Sequence, residues 1–580
     1  MNDARAVASE RGEMVDGGRS RGARRGPRRS APEGVSAERE RCVGPCTNPN
    51  ATGHEAFRPT TVPPASVPQR LAVVIILCGC SSEPEPAGTG PNGVEDAGQS
   101  QTGGSSGHTT HETTAGGSTA DSGPMTAGDT AGDTASESGG VGCESRCEGA
   151  TSVLCTDDGE EIRFDCGVLS LGCVRDSGRC EGPCAPHELS PFEGCNFSAV
   201  STITDSSAPM AIAITALDGP AQVHIDGPTS LELLVEAGNV EFVELARLAS
   251  LNDPSTSVHA SGAAYRVTST APIRVVQYTP MASSDSSDAS ALLDLHAWGL
   301  EHRAVSYPDW GYQPGFVSVT AAFDGTTVTL EGVAASALAA GLGLAANGDG
   351  TLTLDAGDVV QLVTAPEGDL TGMGITADQP IQVIAGHGCT AVEFSYCDHL
   401  EEVMLPLSLS GDRFAVGLTP ADDGQPGETL VRVVAFEAGT SVTVVGGSVP
   451  DFELAAPGDF AEFALTSAVA TIEASAAVVV GEYLLSDRKP SLALARPQPW
   501  RPASVLVPVP AGFDHHLQAV CPGGTALRVD GGAEVALASV NDHDLYLRAL
   551  TPGVHEVSFD VACTVGLASF QAYASTFTRL

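Results

Sequence analysis

"FVSVTAAFDGTTVTLEG", residues 316–332, alternates apolar and small polar side chains on either side of Asp324-Gly325. Period-two alternation rich in Val and Thr marks half-buried strands, and Asp-Gly is a strong hairpin-turn signal. The stretch predicts a strand, a turn and a second strand. Similar hairpins are expected from 210 ("MAIAITALDGPAQVHIDG"), 430 ("LVRVVAFEAGTSVTVVGG") and 516 ("HLQAVCPGGTALRVDGG"). Each is followed by a turn and another strand: "LVEAGNVEFVEL", "TLDAGDVVQLVT", "LAAPGDFAEFAL" and "ASVNDHDLYLRAL". Each unit then reaches an apolar strand: "APIRVVQYTP", "QPIQVIAGHG", "AAVVVGEYLL" and "VGLASFQAYA".

These are about four divergent repeats, approximately 196–284, 290–388, 400–487 and 500–580. Each is long enough to bury a sandwich core of its own, whereas a propeller blade is typically about 40 residues. The fold class expected is all-β: tandem β-sandwich-like repeats, preceded by a small disulfide-rich module and a disordered N-terminal tether. "AASALAAGLGLAANG" at 334–348 reads as a helical insertion in the second repeat.

Upstream of 196 the composition changes twice. Residues 143–195 hold eight cysteines, Cys143, Cys147, Cys155, Cys166, Cys173, Cys180, Cys184 and Cys195, with few large apolar side chains between them. Covalent staples then replace a core. The pairing is open, and a double zinc knuckle is the rival, although no C-x2-C pair occurs. Residues 81–142 are Ser, Thr, Gly, Asp and Pro, a flexible linker with a reach of roughly 40–50 Å.

Residues 71–80, "LAVVIILCGC", are too short to span a bilayer, which takes about 20 residues, and fit the apolar core of a signal peptide at 67–80. The ending resembles the bacterial lipobox. That likeness implies lipidation of Cys80 and, from Ser81, sorting to the outer membrane. Residues 1–66 have no apolar periodicity and read as a disordered or misannotated extension. Residues 80–580 carry 17 basic and 64 acidic side chains, with Lys489 the one lysine of the whole sequence. Such a surface repels phosphate backbones, so no nucleic-acid partner is expected.

The densest run of reactive side chains is "IAGHGCTAVEFSYCDHLEE", residues 384–402. His387, Cys389, Cys397 and His399 have the residue types of a tetrahedral zinc site. A short hairpin also brings Cys389 and Cys397 within bridging distance, and exported chains oxidise such pairs. The disulfide is the preferred reading, with no metal. Asp398, Glu401 and Glu402 then form a solvated acidic face, Glu401 and Glu402 alternatively satisfying backbone donors of the next segment. Cys521 and Cys563 are expected to pair within the last repeat.

Other candidates carry weaker signals. Asp285 and Asp288 in "SSDSSDAS" could ligate Ca²⁺, the one cofactor considered. Trp298, Tyr307, Trp310 and Tyr312 could form a sugar-binding platform or pack between the first two repeats. "FDHH" at 513–516 reads as a loop with ordinary polar roles. "GLGLAANG" is a loose G-x-G-x-x-A without the βαβ frame a nucleotide site needs. No G-x-S-x-G, H-E-x-x-H or P-loop occurs, so no catalytic residue is assigned.

"APIRVVQYTP", "FVSVTAAFDGTTVTL", "LTGMGITADQPIQVIAGHGC" and "CDHLEEVMLPLSLSGDRFAV" together resemble the N-terminal domain of the IgG Fc-binding protein family, over roughly 200–580. The most specific element is Gly-His-x-Cys…Cys-Asp-His-Leu-Glu-Glu, in which His387, Asp398, His399 and Glu401 are the motif residues. The resemblance implies an extracellular β-rich recognition module, closest to bacterial members on tethered surface lipoproteins. Fc binding itself is not carried over. The expected function is non-enzymatic recognition or adhesion at a cell surface, with a protein or glycan ligand and a membrane anchor. The alternatives are a structural envelope component and a metal-dependent hydrolase using residues 387–399.

Overall fold

One long strand organises each of the first three repeats: Tyr265–Thr279, Gly374–Thr390 and Val469–Leu485. These belong to a computed structural model that describes residues 146–580, apart from 156–160, 168–171, 176–178, 183, 185–189, 282–285, 309–310, 394–395, 486–488, 498–503 and 572–573. The extension 1–66, the signal 67–80 with Cys80, the linker 81–142 and Cys143 lie outside the described residues.

In the second repeat, Gly299–Arg303 and Thr326–Glu331 pair with the first half of the long strand Gly374–Thr390. Gly315–Ala321 and Asp398–Val403 pair with its second half. Gly350–Leu354 and Val359–Val363 lie outside these, and Val258–Ala260 from the first repeat pairs with the outer side of Val359–Val363. The first and third repeats have the same order. The long strand thus exchanges one pair of neighbours for another at its middle, curling each repeat into a sandwich-like unit. The joint falls in a half-exposed stretch that contains Pro272 in the first repeat and Pro380 in the second. Proline lacks the N–H a continuous ladder needs, so it suits the point where ladder partners change. Beyond the joint the long strands are buried on both faces.

The opening stretch is therefore not a hairpin. Gly315–Ala321 and Thr326–Glu331 never pair with each other; both pair with the long strand, on different halves of it. Gly315–Ala321 is buried along its whole length, whereas Thr326–Glu331 alternates. Asp324-Gly325 carries the chain from one half of the long strand to the other rather than back along its own strand. Gly325 takes φ 72°, its N–H donates to Asp355 Oδ1 at 3.0 Å, and Asp324 Oδ1 accepts from Ala356 N at 3.0 Å. The other three expected hairpins are arches of the same kind.

Each of the first three repeats also closes with a strand that begins beyond its expected boundary, Asp288–Ala291, Asp398–Val403 and Pro490–Leu494, and the fourth closes with Ala574–Arg579 inside its own. These four strands meet about one centre, each packed against two others: the first against the second and fourth, the third against the same two. The four separate cores expected from repeat length give way to a shared one. A single cluster of buried apolar residues runs from Phe192 to Leu580, and the third repeat adds a cluster around Val433 and Ile472.

In the fourth repeat the long strand is broken into Gly553–Phe559 and Thr564–Gln571. Val520 pairs with Thr564, and Cys521, the next residue, is bonded to Cys563 across a Cα–Cα distance of 4.5 Å. The stretch 334–348 is not helical: Gly341, Leu342, Gly343 and Gly348 all have positive φ, which an α-helix cannot hold. Its one ladder contact is the bridge Leu338↔Thr364.

The cysteine module is built of Arg146–Glu148, Thr151–Cys155 and Glu161–Asp165 in one small sheet, with Gly172–Val174 and Arg179–Glu181 in another. Cys147 is bonded to Cys173, and Cys166 is also in a disulfide. Cys184 is bonded to Cys195, which lies on Gly194–Ala199, the opening strand of the first repeat. Module and repeats are therefore covalently joined, and the side chains of Cys155 and Cys180 are not described. Among the described residues no helix is long and apolar enough to cross a membrane.

Candidate functional site

The Gly-His-x-Cys…Cys-Asp-His-Leu-Glu-Glu segment runs off the long strand Gly374–Thr390, through a loop, and back along the closing strand Asp398–Val403. Gly386 is required by close approach. A Cβ there would come within 1.8 Å of Leu400 O on the closing strand. Cys389 and Cys397 are bonded, with Cα atoms 5.2 Å apart, so the loop is stapled at its base.

The acidic face expected in solvent is instead the middle of the molecule. Asp398, His399, Glu401, Glu402 and His387 are all fully buried. The closing strand that carries four of them is covered on both faces, and its carboxylates and those of Asp288 are used to join strands. Asp288 Oδ2 accepts from Glu401 N and Leu492 N, each at 3.0 Å, and Asp288 Oδ1 from Ser491 Oγ at 2.5 Å. Asp398 accepts from Ser287 N at 2.8 Å and Ser575 N at 2.9 Å. Thr578 Oγ1 donates to Ala289 O at 3.0 Å. Two carboxylates thus satisfy backbone donors from all four repeats, a strong class of hydrogen bond in a dry site. Burial pushes Asp398 up to about 8, against the pull of Lys489 and of its hydrogen-bond donors.

Glu401 does not cap the next segment. It accepts from Gln277 Nε2 at 2.8 Å and from the Thr202 hydroxyl, both in the first repeat. His399 stacks on Phe316, ring centroids 5.8 Å apart, with Nε2 3.5 Å from Glu401. His387 Nδ1 accepts from Cys389 N at 3.2 Å, and burial, helped by nearby His399, pushes its pKa down to about 3. Glu402 faces Arg496 at 3.7 Å, and burial raises its pKa. The two histidines and two cysteines do not converge as a zinc site. The sulfurs are bonded to each other, and the third group within ligand range of them is Asp205.

Above this buried centre lies an accessible rim. Tyr396 and Glu393 are exposed on the stapled loop, and Asp205 reaches the disulfide from the first repeat. Lys489, nearly buried, donates to the carbonyl of Cys397 from the third repeat. Its own carbonyl accepts from Ser575 Oγ at 3.0 Å. The neighbouring loop before Gly315–Ala321, which carries exposed Tyr312, is tied in by Gly388 N to Pro314 O at 2.9 Å.

The other sequence candidates scatter. Trp298 is buried and donates to Leu293 O at 3.2 Å; Tyr307 packs edge-on against Tyr483 of the third repeat. Trp310 is outside the described residues, so no single aromatic platform is described. Asp288 has its oxygens occupied as above, and Asp285 is outside the described residues. His515 and His516 begin the strand Asp514–Pro522 rather than a loop, and buried His515 bonds Ser569 Oγ at 2.8 Å and Pro510 O at 2.6 Å. Sequence reasoning missed the buried arginines. Arg579 forms a fork on Glu482 at 2.8 and 2.6 Å. Arg432 lies between Tyr307 and Phe460 and bonds Glu462, Ser306 O and Thr371. A charged residue inside an apolar run, Leu430-Val431-Arg432-Val433-Val434, was the available signal for Arg432.

With this geometry in place, comparison identifies the relatives. Residues 288–568 match the family model described as IgGFc binding protein. The IgGFc-binding protein of Homo sapiens is 28% identical over 196 residues, which is 31% of this chain and 3% of that relative. The chain thus spans a small fraction of the length of the curated relative it matches.

Proposed function

From the place of residues 288–568 in the IgGFc-binding protein family, we propose that this chain is a non-enzymatic recognition or adhesion protein. It would be held at a bacterial outer membrane through lipidated Cys80 and carried outward on the 81–142 linker. The observation that supports this reading best is the division of labour in the family motif. Its Asp398 and Glu401 carboxylates are buried and spent on joining strands, while Glu393 and Tyr396 of its stapled loop are exposed. Such a segment holds a surface in shape, and its motif residues His387, Asp398, His399 and Glu401 are buried away from solvent. The ligand is a protein or glycan outside the cell; binding of the Fc part of IgG is not carried over from the human relative's name.

The test is binding of the full chain to glycoprotein-coated surfaces, with and without chelator. Saturable binding insensitive to chelator is expected. Polymer hydrolysis that chelator abolishes would establish the hydrolase alternative, and absence of both would leave a structural envelope role.

A further inference from the structure

Val240–Leu245 is an edge strand of the first repeat; among the described strands it pairs with Met210–Ala216 alone. Ala216 N donates to Asn239 O, so by the alternation of an antiparallel ladder Glu241, Val243 and Leu245 turn their backbone groups to that neighbour, and Val240, Phe242 and Glu244 turn theirs outward. The corresponding edge of the second repeat is fully used. Val359–Val363 begins the same way, Gly357-Asp358-Val359 matching Gly238-Asn239-Val240, with both glycines at positive φ. Val258–Ala260 pairs with its outer side, Val363 N donates to Ser257 Oγ at 3.1 Å, and Val363 O accepts from Ala339 N at 2.9 Å. The fold thus already contains a strand added at this edge, and the first repeat presents the same edge open. Phe460–Ala464 holds the position in the third repeat, but its central Glu462 is bonded to Arg432.

The side chains of the open edge select what can join it. Glu241 and Glu244 are exposed and have no hydrogen-bond or ion-pair partner among the described residues. Residues 180–246 contain no Lys or Arg. Arg247 is bonded to Ser206 O and Asn252 Oδ1, and Arg274, on the same sheet, to Glu193 and Leu506 O. Unguarded edges pair with other strands unless charge or proline blunts them. These carboxylates repel a second copy of a chain whose formal net charge is −43, and they favour a strand with cations opposite them. Phe242, half-buried with its ring centroid 6.5 Å from that of Tyr278, offers an apolar contact between the two acids in the strand.

We propose that the outer edge of Val240–Leu245 binds an extended, cationic segment of a partner polypeptide as an added antiparallel strand. This rests on the recognition reading above and names the surface and the partner's chemistry. Backbone hydrogen bonds supply the affinity, and the side chains opposite Glu241, Phe242 and Glu244 supply the selectivity.

The probe is a fluorescent, end-blocked peptide, Thr-Arg-Val-Val-Arg-Val, titrated against the full chain at about 0.15 M salt, where long-range attraction is screened. Laid antiparallel along Leu245 to Val240, it sets arginines opposite Glu244 and Glu241 and its fourth residue opposite Phe242. N-methylation of the fourth residue removes an N–H aimed at the edge and should weaken binding at least about 10-fold; N-methylation of the third, whose N–H points away, should leave it unchanged. Glu244→Pro removes an outward N–H, a change that edge strands tolerate, and should weaken binding as much. Glu244→Gln keeps the N–H and should weaken it about 3- to 5-fold. Glu453→Gln, an exposed acid of the third repeat, should have no effect. Equal binding of the two N-methylated peptides would mean charge attraction without a ladder and would overturn the proposal. So would unchanged binding by Glu244→Pro, or a concentration-dependent dimer that Glu244→Pro disperses, which assigns the edge to a second copy. The glycoprotein surface separates the two levels. If the wild type binds that surface but not the peptide, the edge is wrong and the recognition reading stands. If it binds neither, both fall.

Discussion

The second and fourth repeats answer the same mechanical problem in two ways. In the second, a 17-residue strand changes neighbours at its middle unbroken, with Pro380 at the joint. In the fourth, the crossing is interrupted between Phe559 and Thr564, and the Cys521–Cys563 bond sits at the break, one position beyond the last ladder pair, Val520 with Thr564. A covalent bond there does what backbone continuity does elsewhere. The second repeat has its own disulfide, Cys389–Cys397, but that bond closes a loop on the rim rather than a gap in a strand. The two staples should therefore differ in consequence.

The largest loss is expected from neither. Glu482→Ala would leave the fork of fully buried Arg579 uncompensated, and breaking such a pair costs about 3–5 kcal/mol. A denaturant midpoint close to wild type would show that the centre is less dry than its burial indicates. Next, removing Cys521 and Cys563 together should destabilise by about 4 kcal/mol, from a sequence separation of 42 in the chain-entropy account. The fourth repeat should then exchange amide protons first. Removing Cys389 and Cys397, separated by 8, should cost about 2–3 kcal/mol and leave exchange in the strands little changed. If the smaller loop proves the more damaging, the contrast between a structural staple and a surface staple is wrong.

The last effect appears only as the pH is changed. His387 is held near 3 in the folded chain, below its usual 6.5. Protons therefore bind it mainly on unfolding, so its contribution to stability is full above about 6.5 and is lost as pH falls toward 3. Asp398, raised to about 8, contributes in the opposite sense over roughly pH 4–8, so the wild-type profile mixes the two. His387→Gln isolates the histidine part. Relative to wild type, the variant should gain between pH 6.5 and 4 in denaturant titrations, and a constant difference across that range would count against a buried neutral imidazole.

The repeats, their all-β character and the likeness to the IgGFc-binding protein family were legible because alternation, Asp-Gly turns and the Gly-His-x-Cys motif are local signals. What joins the repeats was not. Asp288–Ala291 and Pro490–Leu494 are short strands covered on both faces, so they lack the period-two pattern that reveals a strand. The arch at Asp324-Gly325 has the residues of a hairpin, and only the identity of each strand's partner, set hundreds of atoms away, tells the two apart. "CDHLEE" reads as solvated because charge density normally means water. Its burial becomes intelligible once the orphan N–H groups of Ser287, Leu492 and Ser575 are seen beside the carboxylates of Asp288 and Asp398. The placement of Cys389 beside Cys397 and of Cys521 beside Cys563 follows from strand ends that both sequence and structure bring together.

The hydrogen bond from Thr578 to Ala289 spans 289 positions of sequence. During synthesis the first repeat can curl early, yet its closing strand waits for a neighbour that emerges only after the other three repeats have been made. Asp398 likewise waits for Ser575. Until then the growing chain holds buried carboxylates with half their donors missing. Final locking must be a late, slow event dominated by distant pairings. A chain that crosses a membrane before folding would meet this delay in the same order, and the disulfides nearest each repeat are the bonds available to hold it in the meantime.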